Sequence, residues 1–162
     1  MQNMMVNLHV VLDCEHASAD MFYDEAWYQW ADDTVYPGTL SFETGDSVRV
    51  VVIAESRTAG SVTITNLTSG RSITQALVYP AYPLYQGSAE WLVSSLESVP
   101  FANFGSVTFT DTLVTFSNGA TTGIDDADTM EMMDTHGLVI GSTALNSDGT
   151  VTVKYVEEWA DF

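Results

Sequence analysis

Basic side chains are almost missing from this sequence. Of 162 residues only four are Lys or Arg, against 22 Asp or Glu, and the formal charge is −18. Neutralising a phosphate backbone or an anionic lipid surface takes clustered Lys and Arg, so nucleic acid and acidic membranes are excluded as partners. A single cysteine, Cys14, rules out an internal disulfide and a Cys-based zinc cluster. Long apolar runs are missing too. The longest, residues 48–54, contains Arg49 and falls far short of the roughly 20 residues of a helical membrane span. No glycine pattern of a nucleophile elbow surrounds any serine, and Asp125, Asp126 and Asp128 lack the glycine and closing glutamate of an EF-hand loop. No metal and no cofactor is expected.

What is present supports a folded chain, since 46% of the residues are hydrophobic and 11% aromatic. The acidity reads in three ways, as a solvated acidic face, as adaptation to an acidic medium or as halophily. With every carboxyl protonated the chain reaches only about +8, so the cationic repulsion that unfolds most proteins in acid is small here. The fold is therefore expected to persist in acid and to weaken towards neutral pH, as crowded carboxyls ionise against few cations.

Period-two alternation and turn residues recur along the chain, while helical periodicity is nearly absent. Strands are expected from Val6 to Leu12, Val48 to Ala54, Ser61 to Leu67, Arg71 to Val78, Ser88 to Leu96, Ser106 to Phe116, Gly137 to Leu145 and Thr150 to Val156. Tight turns are expected at Thr68-Ser69-Gly70, Asn118-Gly119 and Asp148-Gly149, and one helical turn around Asp128 to Asp134. Short strands at this spacing predict an all-β antiparallel sandwich or barrel, and the absence of linkers and repeats predicts one domain over residues 1–162. Asn66-Leu67-Thr68 is a glycosylation sequon, with meaning only in a secreted chain.

Two segments stand out. Tyr23 to Trp30 places four large aromatics in eight residues, with Trp27 and Gln29 on one face of a strand and Tyr28 and Trp30 on the other. In Ser88-Ala89-Glu90-Trp91-Leu92-Val93 a carboxylate sits among apolar residues of an expected strand, which is costly unless Glu90 is exposed or functional. Ala26-Trp27-Tyr28-Gln29-Trp30 resembles the Ala-Trp-Tyr-Glu-Trp segment of the eqolisins, the glutamic peptidases of fungi. Thr44-Gly45-Asp46-Ser47, Asn66-Leu67-Thr68-Ser69-Gly70, the Ala89-Glu90-Trp91 block, 99–105, 107–110 and 151–156 follow in the family's order, so the resemblance covers about residues 20–156.

The resemblance implies a secreted, concanavalin A-like antiparallel β-sandwich (jelly roll) that hydrolyses peptide bonds in acid. It implies that Glu90 is the general base on water and later the acid to the leaving amine, partnered in the family by a glutamine whose amide stabilises the oxyanion. That glutamine's place, in a Leu-Gln-Thr-Gly type segment before the Ala-Trp-Tyr block, falls here on Asp13. Trp27, Gln29 and Trp91 are the expected substrate contacts, a polypeptide the expected partner, and a monomer the expected state. The family's signal peptide, propeptide and first strands are expected to be absent from this chain. A second function stays open: a catalytically inactive sandwich that binds peptide or glycan on an aromatic concave face, since both uses draw on the same side chains.

Overall fold

The computed structural model describes residues 8–18, 21–30, 33–35, 40–93, 103–125, 127–133 and 137–156. Among them there are twelve strands, all paired antiparallel, and no helix. The chain divides into two compact units, Met1–Ser88 and Ala89–Phe162.

In the first unit β1 (Leu8–Ser18), β2 (Met21–Trp30) and β3 (Asp33–Val35) form one three-stranded sheet; β4 (Val48–Ala54), β5 (Ala59–Asn66) and β6 (Ser72–Val78) form another, in sequence order. The alternation expected of a half-buried strand is clearest in β5. Val62, Ile64 and Asn66 are buried, while Ser61, Thr63 and Thr65 stand on the other face. There Thr63 and Thr65 share hydrogen bonds with Thr74 and Ser72 of β6, at 2.9 and 2.8 Å. Trp30, fully buried at the end of β2, joins the first sheet to Val62, Ile64, Leu77, Leu40 and Leu84. Its ring stacks on Tyr79, centroids 5.3 Å apart, and its indole N–H donates to the Tyr82 carbonyl at 2.8 Å, satisfying the one polar atom it buries.

In the second unit β7 (Ser106–Phe109), β10 (Met132–Met133), β11 (Val139–Leu145) and β12 (Val151–Tyr155) form a sheet in the order β10-β11-β12-β7, and β8 (Val114–Thr115) pairs with β9 (Thr121–Thr122). Central β12 buries Val151 and Val153, which face Phe109 and Val107 of β7. Phe104 meets Tyr155 edge-on at 5.7 Å.

The three expected turns are in place: Gly70, Gly119 and Gly149 close the β5–β6, β8–β9 and β11–β12 hairpins with φ of +74°, +83° and +78°. Three expectations are corrected. The run from Ser106 to Phe116 is two strands, interrupted where Asp111 takes φ of +53°, a conformation that Asp tolerates and that breaks the pleat. No helical turn spans the described residues from Asp128 on; Met132 and Met133 join the sheet through β11 instead, because ladder pairing outweighs weak local propensity. Residues 88–93 carry no strand, and the rest of that expected element, 94–96, lies outside the described residues.

The sequon also has a structural account. Asn66 is 1% exposed, and its amide donates to the Ser41 carbonyl at 3.2 Å and to the Asp46 carboxylate at 2.6 Å. Its side-chain oxygen accepts from the Thr68 and Ser69 backbone N–H groups at 3.0 and 2.9 Å, and the Thr68 hydroxyl accepts from the Ser47 N–H at 3.0 Å. Both residues of the triplet that a glycan would require are committed to fastening the 41–47 loop to the β5–β6 turn.

That loop bears on acid tolerance. Asp46 is held below its ordinary 3.8 by the Glu43 backbone N–H and then by the Asn66 amide; the Thr150 hydroxyl and backbone N–H lower Asp148 likewise. A lowered folded value stabilises the fold fully above about 3.8 and loses that contribution as pH falls through the lowered value. These two carboxyls therefore run opposite to the acid preference expected from composition, which rested on crowded groups with raised values. Melting curves of Asp46→Asn and the parent are expected to differ at neutral pH and to converge below about pH 3.8. A gap that widens in acid would contradict this.

Candidate active site

The candidate residues of the first unit meet on one ribbon. In the β1–β2 register Asp13 stands opposite Glu25, Val11 opposite Trp27 and His9 opposite Gln29. Residues opposite one another share a face, and so do residues two apart along a strand. Asp13, Trp27 and Gln29 thus fall on one face, with His9 and Glu25, while Trp30 and its register partner Leu8 belong to the other. β2 runs unbroken through Trp27 to Trp30, and the buried Trp30 identifies the core side. Gln29 also pairs with Thr34 of β3, so it sits mid-sheet and is half-buried.

Glu25 was not singled out from the sequence. Its signal was available only in the hairpin register, which sets it against Asp13.

Glu90 and Trp91 are in the second unit, two and three residues past the division. The segment leading to them is firmly held. Leu84 is buried in the first unit's core, its N–H donating to the Arg57 carbonyl at 2.6 Å while the Arg57 guanidinium donates back to the Leu84 carbonyl at 3.1 Å. Gln86, at φ of +56°, donates its amide to the Ser56 carbonyl at 3.3 Å. From there 88–93 runs without regular structure, Glu90 exposed and Trp91 half-buried. The expectation that Glu90 stands mid-strand is therefore corrected. The costly case of a carboxylate among buried apolar neighbours does not arise, because the carboxylate is open to water. Among the described residues no three metal-ligating side chains gather.

Residues 14–155 match the family model of peptidase A4. The chain is 41% identical over 138 residues to aspergillopepsin-2 of Aspergillus niger, covering 82% of this chain and 48% of that protein. It is 33% identical over 153 residues to scytalidopepsin B of Scytalidium lignicola, covering 85% and 56%. The chain thus spans about half the length of the curated relatives it matches. Among solved structures it resembles aspergilloglutamic peptidase from Aspergillus niger with a TM-score of 0.83 and 35% identity, over 94% of this chain and 91% of that one. Scytalido-glutamic peptidase with a transition-state analogue inhibitor follows at 0.69 and 28%, over 82% and 69%. Matched strands, matched blocks and a family model covering most of the length lead to one conclusion: the chain belongs to the peptidase A4 family, the eqolisins.

Proposed function

We propose that this chain acts as a glutamic-type endopeptidase in acid, with Glu90 as general base on the attacking water and general acid to the leaving amine. The observation that carries the reading is the Ala89-Glu90-Trp91 block, which lies inside the span matched by the family model. Exposure of Glu90 gives its carboxylate access to water and to an extended polypeptide, and Trp91 beside it offers an aromatic surface for substrate side chains. Trp27 and Gln29, on one face of β2, are the proposed substrate contacts of the first unit. Secretion into an acidic medium accords with the acidic composition and with the fungal relatives. The test is hydrolysis of an unfolded protein substrate across pH 2–7. Turnover confined to the acid side supports the reading, and none at any pH overturns it.

Asp13 is the proposed partner. A protonated Asp13 donates one hydrogen bond to the developing oxyanion, whereas an ionised one opposes it, so activity falls as Asp13 ionises. Replacing it with the family's amide, Asp13→Gln, is expected to raise the rate by about 10²-fold and to broaden the active range towards neutral pH. An unchanged rate in a folded variant would remove Asp13 from the site. The carboxyl in the amide's place also favours the second reading, a sandwich that grips peptide or glycan without cleaving it. Binding without turnover in both the parent and Asp13→Gln selects that reading.

A further inference from the structure

Strand β4 is exposed on both faces. Val50, Val51, Val52 and Ile53 are 41%, 41%, 47% and 52% exposed, four consecutive β-branched apolar residues. Among the described residues β4 lies at the edge of its sheet, paired to β5 in unbroken register from Val48 opposite Asn66 to Ala54 opposite Gly60. Natural edge strands are usually blunted by a proline, a bulge, an inward charge or short length. β4 is seven residues long, regular and free of proline. Opposite charges flank its apolar run, Arg49 second in the strand and Glu55 one residue past its end, both exposed. The surrounding charge is also unusual for this molecule: three of the four basic residues, Arg49, Arg57 and Arg71, fall within 47–78, where Glu55 is the lone acid. This stretch carries a net charge of only +2 in a chain of −18, so two copies repel one another less here than over the acidic remainder.

We propose that two copies of this chain join edge to edge through β4, antiparallel about a two-fold axis at Val52, making one six-stranded sheet of two three-stranded ones. An axis perpendicular to the sheet keeps each face on its own side, so only residues of like parity can oppose one another. Centring on Val52 sets Val51 opposite Ile53, Val50 opposite Ala54 and Arg49 opposite Glu55 of the second copy, in two symmetric pairs. Centring on Val51 would set Arg49 opposite Ile53 and leave both charges without partners, so charge selects the Val52 register. The apolar residues and the backbone ladder supply the attraction, and the exposed ion pairs supply the register. This departs from the monomer expected from the sequence and is independent of the proposed peptidase activity.

Sedimentation equilibrium of the full chain over a concentration series at neutral pH is expected to show a monomer–dimer equilibrium. Arg49→Glu and Glu55→Arg are each expected to weaken the dimer about tenfold, and the double exchange to restore it. In a Cys14→Ser background, Val52→Cys is expected to form an intermolecular disulfide under mild oxidation, since the two copies meet at that residue, while Val50→Cys is not. The cysteine pair decides the matter should a charge variant fail to fold. A monomer at every concentration overturns the proposal. So does a dimer that ignores charge reversal and forms no bond at position 52, because it uses another surface.

Discussion

Glu90→Gln is expected to lower peptide hydrolysis by about 10²–10⁴-fold, the usual worth of a positioned general base. The amide preserves the size of the side chain and can still hydrogen-bond a water, but it cannot take the proton the water must lose. Because Glu90 is exposed on an irregular segment and fills no part of either core, the substitution is expected to leave the unfolding midpoint unchanged. Hydrolysis and melting measured on the same preparation separate chemistry from folding. More than about a tenth of the parent rate, with an unchanged midpoint, would remove Glu90 from the role of base. The conservative Glu90→Asp is expected to retain part of the activity, since it keeps the proton acceptor and shortens its reach.

Asn66→Ala is expected to destabilise the fold by about 4 kcal/mol, from four side-chain hydrogen bonds at about 1 kcal/mol each. That corresponds to roughly 10³-fold in the folding equilibrium and to a melting point lower by about 10 °C for a chain of this size. The mechanism is specific. Removing the amide leaves the Thr68 and Ser69 N–H groups without their acceptor and frees the 41–47 loop from the β5–β6 turn. Asn66→Asp supplies a further signature, because it sets a second carboxylate at hydrogen-bond distance from that of Asp46. That variant is expected to be badly destabilised at neutral pH and to recover in part where one of the two is protonated. A loss for Asn66→Ala below about 1 kcal/mol would show the network to be incidental. Glycan found on Asn66 of the folded protein would contradict the commitment of its amide.

Much of the local structure is determined by residue types acting over short range. β4, β5, β6, β11 and β12 run within two residues of the positions that alternation and turn chemistry indicate, and Gly70 and Gly149 supply the positive φ that the β5–β6 and β11–β12 turns require. The family is legible in ordered blocks such as Ala26 to Trp30 and Ala89 to Trp91, and the predominance of strand over helix in their periodicity. Tertiary structure decided what depends on partners distant in the chain. Whether 88–93 forms a strand depends on a neighbour to pair with, which no local pattern encodes. The opposition of Asp13 and Glu25 comes from the hairpin register, and a slip of one residue would separate them. Asn66 reads as a glycan acceptor in a triplet and becomes a buried fastening because Ser41 and Asp46, at least 20 residues earlier, fold against it. The valines of β4 belong to the longest apolar run of the sequence and stand exposed, since hydrophobicity states what a strand would bury and only the arrangement of sheets states whether anything covers it.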